Sequence, residues 1–182
     1  MRINVHAGHN PSGKIACGAS DLLDESKENR KVVKYLIRYL KKAGHKVYNC
    51  TVSNGKSQSD VLKKIVAKCN AHTVDLDVSI HFNSGRGDRK GDGKVGGCEV
   101  LVTADTGIKK TAASGIRKKM KALGFTDRGT KVNNGLYFLN HTKAKAILVE
   151  VCFVDDKDDY KLYNKAGCKA VAKAIADGIC CK

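Results

Sequence analysis

Short apolar runs alternate along this chain with longer segments whose apolar residues recur at helical spacing. The strand-like runs are 2–6, HKVYNCTV, 75–82, CEVLVT and 146–153. The helix-like segments are 24–43, 59–70, 107–123 and a final segment with apolar residues between 171 and 179. Such alternation is typical of parallel strands joined by crossover helices. We therefore predict an α/β fold with a mostly parallel, twisted sheet of about six strands flanked by helices.

The size of the chain suits a single folded unit. It has 182 residues, of which 42% are hydrophobic, which is enough for a buried core and argues against disorder. We expect one domain over residues 1–182. No apolar stretch approaches the roughly 18 residues of a membrane-spanning helix. The opening segment MRINVHAGHN looks like a core strand, so we expect synthesis in the cytoplasm without a signal peptide.

Four side chains that suit a metal site lie at strand ends or at the start of a helix. His9 follows the first strand, His81 ends the third, Glu25 opens the first long helix, and Glu150 lies within the run AILVEVCF. Sites in open α/β sheets form at the carboxyl ends of strands, so one sheet edge could collect all four. Two imidazoles and a carboxylate form the ligand set of a hydrolytic zinc centre, and a further carboxylate supplies its general base.

Each of these residues also has a simpler structural explanation. A histidine after a strand is more often a surface or hydrogen-bonding residue, and a glutamate in the first turn of a helix complements the helix dipole. Glu150 is harder to explain in this way, because burying a carboxylate without a partner is costly. Two other histidines are secondary candidates. His6 could compete as a metal ligand, and His141 could contact a substrate.

The candidates belong to a longer series of motifs. The segments AGHN, GAS, E-x-x-x-N at 25–29, SIHFN, GCEVLV, RGTK and AILVEVCFVDDKDD follow one another over nearly the whole chain. In this order they resemble the zinc-dependent N-acetylmuramoyl-L-alanine amidases of the amidase-3 type, in particular catalytic domains of endolysins from phages of Gram-positive bacteria. The resemblance implies that His9, Glu25 and His81 bind Zn²⁺ and that Glu150 is the catalytic glutamate. The implied substrate bond joins N-acetylmuramic acid to L-alanine in peptidoglycan.

The resemblance also implies where such an enzyme acts. An endolysin or autolysin degrades the cell wall, so we expect release from the cytoplasm through a holin-type pore or at lysis. The chain departs from the family pattern at Asn10, where glycine is common, and at Lys145, where proline is usual. Neither residue is an implied ligand, so these departures concern turn geometry and substrate contacts.

The chain is strongly basic. Lys and Arg number 34 against 18 for Asp and Glu, which gives a net charge of +16. This excess favours a polyanionic partner, and anionic wall polymers could be held in this way without a separate wall-binding domain. A nucleic-acid partner has less support, because aromatic residues are 5% and no tryptophan supplies a stacking platform. We expect a monomer that does not insert into membranes.

Two other functions remain open from the sequence. One is a basic nucleic-acid-binding or wall-binding module without catalysis. The other is a Cys–His cell-wall peptidase that uses Cys152, although the apolar residues around this thiol offer no evident activation. The eight cysteines contain no C-x-x-C pair, which disfavours a zinc knuckle or a thioredoxin-like motif. Without an export signal we expect mostly buried free thiols.

Overall fold

Strands and helices alternate in the computed structural model, which describes residues 1–181. Residue 182, which the predicted domain includes, lies outside the described residues. The strands are β1 (Arg2–Ala7), β2 (Lys46–Asn49), β3 (Leu76–Asn83), β4 (Cys98–Val102), β5 (Asp127–Val132) and β6 (Lys145–Phe153). The helices are α1 (Glu25–Lys42), α2 (Gln58–Asn70), α3 (Gly107–Ala122), α4 (Tyr137–His141) and α5 (Lys157–Ile179).

The six strands form one sheet in the order β2-β1-β3-β6-β4-β5. Every neighbouring pair is parallel except β4 and β6, which run antiparallel. The predicted α/β fold with a mostly parallel sheet of six strands is therefore confirmed, and the one antiparallel pair makes the sheet mixed. In this order β6, the last strand in sequence, lies between β3 and β4 near the centre of the sheet.

Helices cover both faces of the sheet because alternate strand residues point to opposite sides. Val5 of β1 belongs to the larger core, together with Leu36 of α1 and Ile175 of α5. On the other face, Leu148 of β6 packs with Ile65 of α2 and apolar residues of α4. The sheet thus separates a layer of α1, α3 and α5 from a thinner layer of α2 and α4.

The sequence did not reveal β5 and α4. β5 is an edge strand whose residues are exposed or only half-buried, so no apolar run marks it. α4 has five residues, which is too short for a helical period to show. Within α5, Gly167 has a non-helical φ of 78° and divides the helix with a kink.

Two expectations about the chemistry of the chain can be compared with the fold. No disulfide joins cysteines within residues 1–181, and Cys50, Cys69, Cys98 and Cys152 are buried. Among the helices of that part of the chain, none is both long and apolar enough to cross a membrane.

Candidate metal centre

Three of the predicted site residues meet at one edge of the sheet, where β1 and β3 end and α1 begins. His9 Nε2 lies 3.4 Å from Glu25 Oε2, and His81 Nδ1 lies 2.9 Å from Glu25 Oε1. The two imidazole rings are 4.9 Å apart, centroid to centroid, at an angle of 79°. One potential ligand atom from each residue lies within 4.8 Å of the other two. The structure therefore brings together side chains that could share one metal ion.

Glu25 is placed by the start of α1 and fixed by backbone donors. Asp24 caps the helix by accepting a hydrogen bond from the backbone N–H of Lys27. The Glu25 carboxylate is 3% exposed and accepts from the backbone N–H groups of Ala19 and Phe82 at 3.0 and 3.1 Å. Burial by itself would raise the pKa of Glu25, but hydrogen bonds and charges from the two imidazoles outweigh it and lower that pKa strongly. The carboxylate is therefore ionised.

Two glycines leave the space that the three side chains occupy. A Cβ on Gly8 would overlap the imidazole of His81, and a Cβ on Gly18 would overlap the Glu25 carboxylate and the ring of His9. Gly18 also has a φ of +78°, which favours glycine. The AGHN and GAS motifs thus include glycines at the points of closest approach.

The turn that carries His9 is held from two sides. His9 has a φ of 63°, which is uncommon for a residue other than glycine. The side chain of the following Asn10 is completely buried, donates to the carbonyls of Ile15 and Gly55, and accepts from the N–H of Gly55. Asn10, which departs from the family pattern, therefore joins the His9 turn to two neighbouring loop segments.

The E-x-x-x-N motif has a structural explanation. Glu25 and Asn29 are one turn apart on α1, and Asn29 Nδ2 donates to the carbonyl of Gly8 at 3.0 Å. Arg30 donates to the carbonyl of His9 at 2.8 Å. One helix therefore supplies a possible ligand and also fixes the backbone that carries another.

Glu150 lies next to this group without bonding to it. In the sheet register Glu150 is opposite His81 of β3 on one side and Glu99 of β4 on the other. Burial, followed by the charges of Glu25 and Glu99, raises the pKa of Glu150 to about 8. Its Oε2 is buried and has no hydrogen-bond partner among the described residues. A carboxyl group whose pKa lies near neutrality can exchange a proton with a substrate.

A cavity of about 280 Å³ adjoins the group, between the sheet and the α2/α4 layer. Gly8, His9, His81 and Glu150 all line it. Most of its remaining wall is apolar and consists of Leu62, Ile65, Leu101, Leu136, Phe138 and Leu148. The arrangement combines a possible metal centre, a buried proton-exchanging group and an apolar recess, which is the usual composition of a small-molecule site.

Comparison with known proteins decides the family. A family model described as N-acetylmuramoyl-L-alanine amidase matches residues 3–181. The chain belongs to the N-acetylmuramoyl-L-alanine amidase family. The predicted resemblance to the amidase-3 type is thereby confirmed.

The chain is also similar to individual bacterial and phage proteins. An uncharacterized protein of Clostridium perfringens is 35% identical over 98% of this chain and 51% of its own length. The endolysin of Bacillus phage SPP1 is 30% identical over 96% of this chain and 63% of its own length. The chain thus spans between half and two thirds of these curated relatives. The catalytic domain of the CD27L endolysin, which targets Clostridium difficile, superposes with a TM-score of 0.87 at 30% identity and covers 100% of this chain and 98% of that domain.

The other histidines and the cysteine have different places in this amidase fold. His6 is not in the ligand group, but it is 1% exposed, lines the cavity and packs edge-on against Phe138 at 4.6 Å. His141 is exposed and stacks on Tyr137. Tyr137 lines the cavity, and His141 does not. Cys152 is fully buried, and burial raises the pKa of its thiol well above the ordinary value. A buried neutral thiol gives no support to the Cys–His alternative.

A second acidic group lies outside the amidase cleft. Asp88, Asp156 and Asp158 place carboxylates close together near the start of α5. Asp156 forms an ion pair with Arg86 at 2.6 Å, and Asp158 accepts from the backbone N–H of Gly93 at 2.8 Å. These contacts tie the glycine-rich loop after β3 to α5.

Sequence reasoning missed several residues of the cavity. Gln58 opens α2, and Leu136 and Tyr137 come from the short α4 region that no pattern predicted. Ser79 was visible only as part of the SIHFN motif, and its role in the cavity depends on the register between β1 and β3. Such residues are identified by the pairing of strands, which a single sequence does not display.

Proposed function

We propose that this chain is the catalytic domain of a zinc amidase that hydrolyses the bond between N-acetylmuramic acid and L-alanine in peptidoglycan. His9, Glu25 and His81 would hold Zn²⁺, and Glu150 would be the catalytic glutamate. The observation that carries the proposal is the convergence of two imidazoles on a buried, ionised carboxylate beside Glu150, whose buried Oε2 has no hydrogen-bond partner among residues 1–181. Membership of the amidase family supplies the substrate class.

The residues fit Zn²⁺ on chemical grounds. Imidazole nitrogen and carboxylate oxygen are both common zinc ligands, and three protein ligands with an open position distinguish catalytic from structural zinc sites. At Gly8 and Gly18 the three side chains lie so close to the backbone that only a hydrogen atom fits in place of a side chain. The backbone N–H groups on Glu25 fix the direction of its oxygens. When bound, Zn²⁺ would polarise the scissile carbonyl and make a nearby water a stronger acid.

Glu150 would move the proton of the reaction. It accepts a proton from the attacking water as the carbon–oxygen bond forms, and it delivers a proton to the amine of L-alanine as the carbon–nitrogen bond breaks. The products are a carboxyl group on the lactyl side chain and a free amine on L-alanine. A pKa raised to about 8 by burial suits a group that must both take up and release a proton near neutrality.

The apolar cavity would exclude water around these groups and bind part of the stem peptide. The similarity to two endolysins supports action on the bacterial cell wall, reached through a holin-type pore or at lysis. Autolysis would use the same chemistry. A monomeric state and an affinity for anionic wall polymers stay predictions.

The test treats purified peptidoglycan with the protein before and after removal of metal by a chelator. Chelator-sensitive release of new L-alanine amino termini, restored by Zn²⁺, is the expected result. We expect Glu150→Gln to lower the rate by about 10²–10⁴-fold while leaving the fold and zinc content intact. Glu28→Gln is the matched control, because Glu28 lies on the opposite helix layer and pairs with Lys31 and Tyr163.

Other outcomes would contradict the proposal. New reducing sugars would indicate a glycosidase, and chelator-resistant activity lost in Cys152→Ala would favour the thiol enzyme. Retention of walls or DNA without any cleavage would favour a binding module. Full activity in Glu150→Gln would remove this residue from its assigned role.

A further inference from the structure

Two buried polar side chains of the cavity take no part in the reaction described above. In the register of β1 and β3, His6 lies opposite Ser79. His81 and Glu150 pair in the same way across β3 and β6, two residues further along β3. Residues at alternate positions of a strand share a face and are separated by about 6.6–6.8 Å. His6 and Ser79 therefore form a second row on the cavity side, one step from the row of Glu150.

Within residues 1–181, each of these side chains has one polar atom without a partner. His6 is 1% and Ser79 is 0% exposed, and both line the cavity. His6 Nε2 and Ser79 Oγ have no hydrogen-bond partner among the described residues. Buried polar groups are normally paired, and an orphaned group is destabilising, so two neighbouring orphans in one cavity indicate a ligand that supplies the missing partners.

The protonation of His6 follows from its other nitrogen. Nδ1 lies 3.2 Å from the carbonyl oxygen of Ala7, which can only accept, so Nδ1 carries the proton. Burial lowers the pKa of His6 to about 3, so the ring is neutral and Nε2 is an acceptor. The hydroxyl of Ser79 can donate. In an extended peptide the N–H and C=O of a single residue point to the same side, so an acceptor beside a donor matches these two groups of one residue.

This inference rests on the proposed function. We propose that His6 and Ser79 form a subsite for the peptide bond that follows L-alanine in the stem. The N–H of this amide donates to His6 Nε2, and the carbonyl of the residue that carries this N–H accepts from the Ser79 hydroxyl. The apolar wall that includes Leu148 and Phe138 then receives the methyl group of L-alanine.

The spacing agrees with this assignment. Consecutive amides of an extended peptide are about 3.5 Å apart, and a hydrogen bond adds about 2.9 Å. Together they reach from the row where the scissile amide would meet Glu150 to the row of His6 and Ser79. A free carboxylate on L-alanine would offer no donor to His6, so the subsite selects an amide over an acid.

The test compares two soluble substrates of nearly equal shape, N-acetylmuramoyl-L-alanine methylamide and the corresponding methyl ester, which lacks the N–H. We expect the wild-type protein to favour the methylamide in kcat/KM by about tenfold or more. In His6→Phe, which keeps an aromatic ring against Phe138 but has no acceptor, this preference should disappear. The methylamide rate should fall much more than the ester rate, because the ester offers His6 no N–H.

Three further proteins sharpen the result. His6→Gln retains an acceptor and should keep part of the preference, which also covers the case that His6→Phe does not fold. Ser79→Ala should slow the cleavage of peptidoglycan, whose stem carries the carbonyl that Ser79 would bind, more than the cleavage of either small substrate, which lacks it. His141→Phe is the matched control outside the cavity and should behave as wild type.

The outcomes separate this inference from the proposed function. Cleavage of both substrates at equal rates by the wild-type protein would overturn the subsite and leave the amidase activity intact, with a water molecule as the partner of the two orphaned groups. A preference unchanged in both His6 variants would also overturn it. If peptidoglycan is cleaved but neither small substrate is, the subsite does not bind this amide and the inference fails. If peptidoglycan is not cleaved either, the proposed function fails with it.

Discussion

The orientation of Glu25 is set by groups from three separate segments. One backbone N–H and one imidazole lie against each carboxylate oxygen, with Ala19 and His9 at Oε2 and Phe82 and His81 at Oε1. The carboxylate is therefore fixed before any metal binds, and this kind of support raises the affinity of a metal site. It also explains why the approach of the backbone at Gly8 and Gly18 has to be so close.

The requirement at Gly18 can be tested with a second glycine as control. Gly13 and Gly18 have nearly equal φ values of +81° and +78°, but a Cβ on Gly13 would meet open space. Replacing either glycine by alanine should lower the free energy of unfolding by about 1–2 kcal/mol, because alanine would have to adopt the left-handed backbone conformation. Only Gly18→Ala should also weaken zinc binding, by about 10–100-fold, because its Cβ displaces Glu25 and His9. Thermal unfolding and zinc titration against a chelating indicator measure the two effects; equal zinc affinity in the two variants would contradict this explanation.

At this scale the sequence predicts the proximity of His9, Glu25 and His81 better than the cavity. His9 and Glu25 could be selected because each follows or opens a regular element, and His81 because it ends the predicted third strand. Glu150 could be selected because a carboxylate within an apolar run needs a reason. His6 could not be interpreted in the same way, since a histidine three residues before His9 could equally have been a ligand. Its inward direction depends on the alternation of β1, whereas His9 lies beyond the end of that strand.

Helices α3 and α5 approach each other so closely that glycine is required at the crossing. A Cβ on Gly115 would overlap the backbone carbonyl of Gly178, and a Cβ on Gly178 would overlap the backbone of Ile116. This contact joins two of the three helices that cover the larger core. The same layer buries the sheet face opposite the cavity, so its packing supports the strands that carry the site.

The close crossing predicts an effect opposite to helix propensity. Alanine is favoured over glycine within a helix by about 1 kcal/mol, so Gly115→Ala would be stabilising if only propensity mattered. We expect it instead to destabilise the protein by about 1–3 kcal/mol, because the methyl group forces the helices apart. Ser114→Ala, at the exposed neighbouring position, is the control and should change stability by less than about 0.5 kcal/mol. Urea unfolding measures both, and a Gly115→Ala protein as stable as wild type would count against this packing.

Elements with an apolar face were predictable, and elements without one were not. β6 is a continuous apolar run around Glu150, and α1 carries a regular apolar stripe through Val32, Leu36 and Leu40. β5 pairs along only one edge and α4 is a single short turn, so neither buries enough apolar surface to leave a pattern. The antiparallel direction of β4 against β6 is likewise a property of pairing, not of either sequence segment.

Three basic side chains of α1 and α5 lie around one aromatic ring. The cationic groups of Lys34, Arg38 and Lys169 lie 6.0, 5.8 and 5.4 Å from the ring centroid of Tyr35. A net charge of +16 produces a field that attracts polyanions at a distance and is screened by salt. The cavity proposed for catalysis lies on the other face of the sheet, so this attraction and the chemistry should be separable.

Salt should therefore slow the lysis of cell walls and have little effect on the hydrolysis of the amide bond itself. The Debye length falls from about 10 Å at 0.1 M salt to about 3 Å at 1 M, so the attraction to anionic wall polymers should weaken over this range. We expect the rate of wall lysis, followed by turbidity, to fall steeply. The rate of cleavage of soluble N-acetylmuramoyl-L-alanine methylamide, which carries no charge, should change much less. Lysis that stays constant from low to high salt would show that the basic surface does not hold the protein to the wall.

The central place of β6 has a consequence for biosynthesis. Until Lys145–Phe153 has left the ribosome, β1 and β3 have no link through the sheet to β4 and β5, because β6 joins the two halves. A nascent polypeptide at that stage also lacks Glu150. The complete six-stranded sheet, with Glu150 opposite His81, can therefore form only after residues 145–153 have been synthesised.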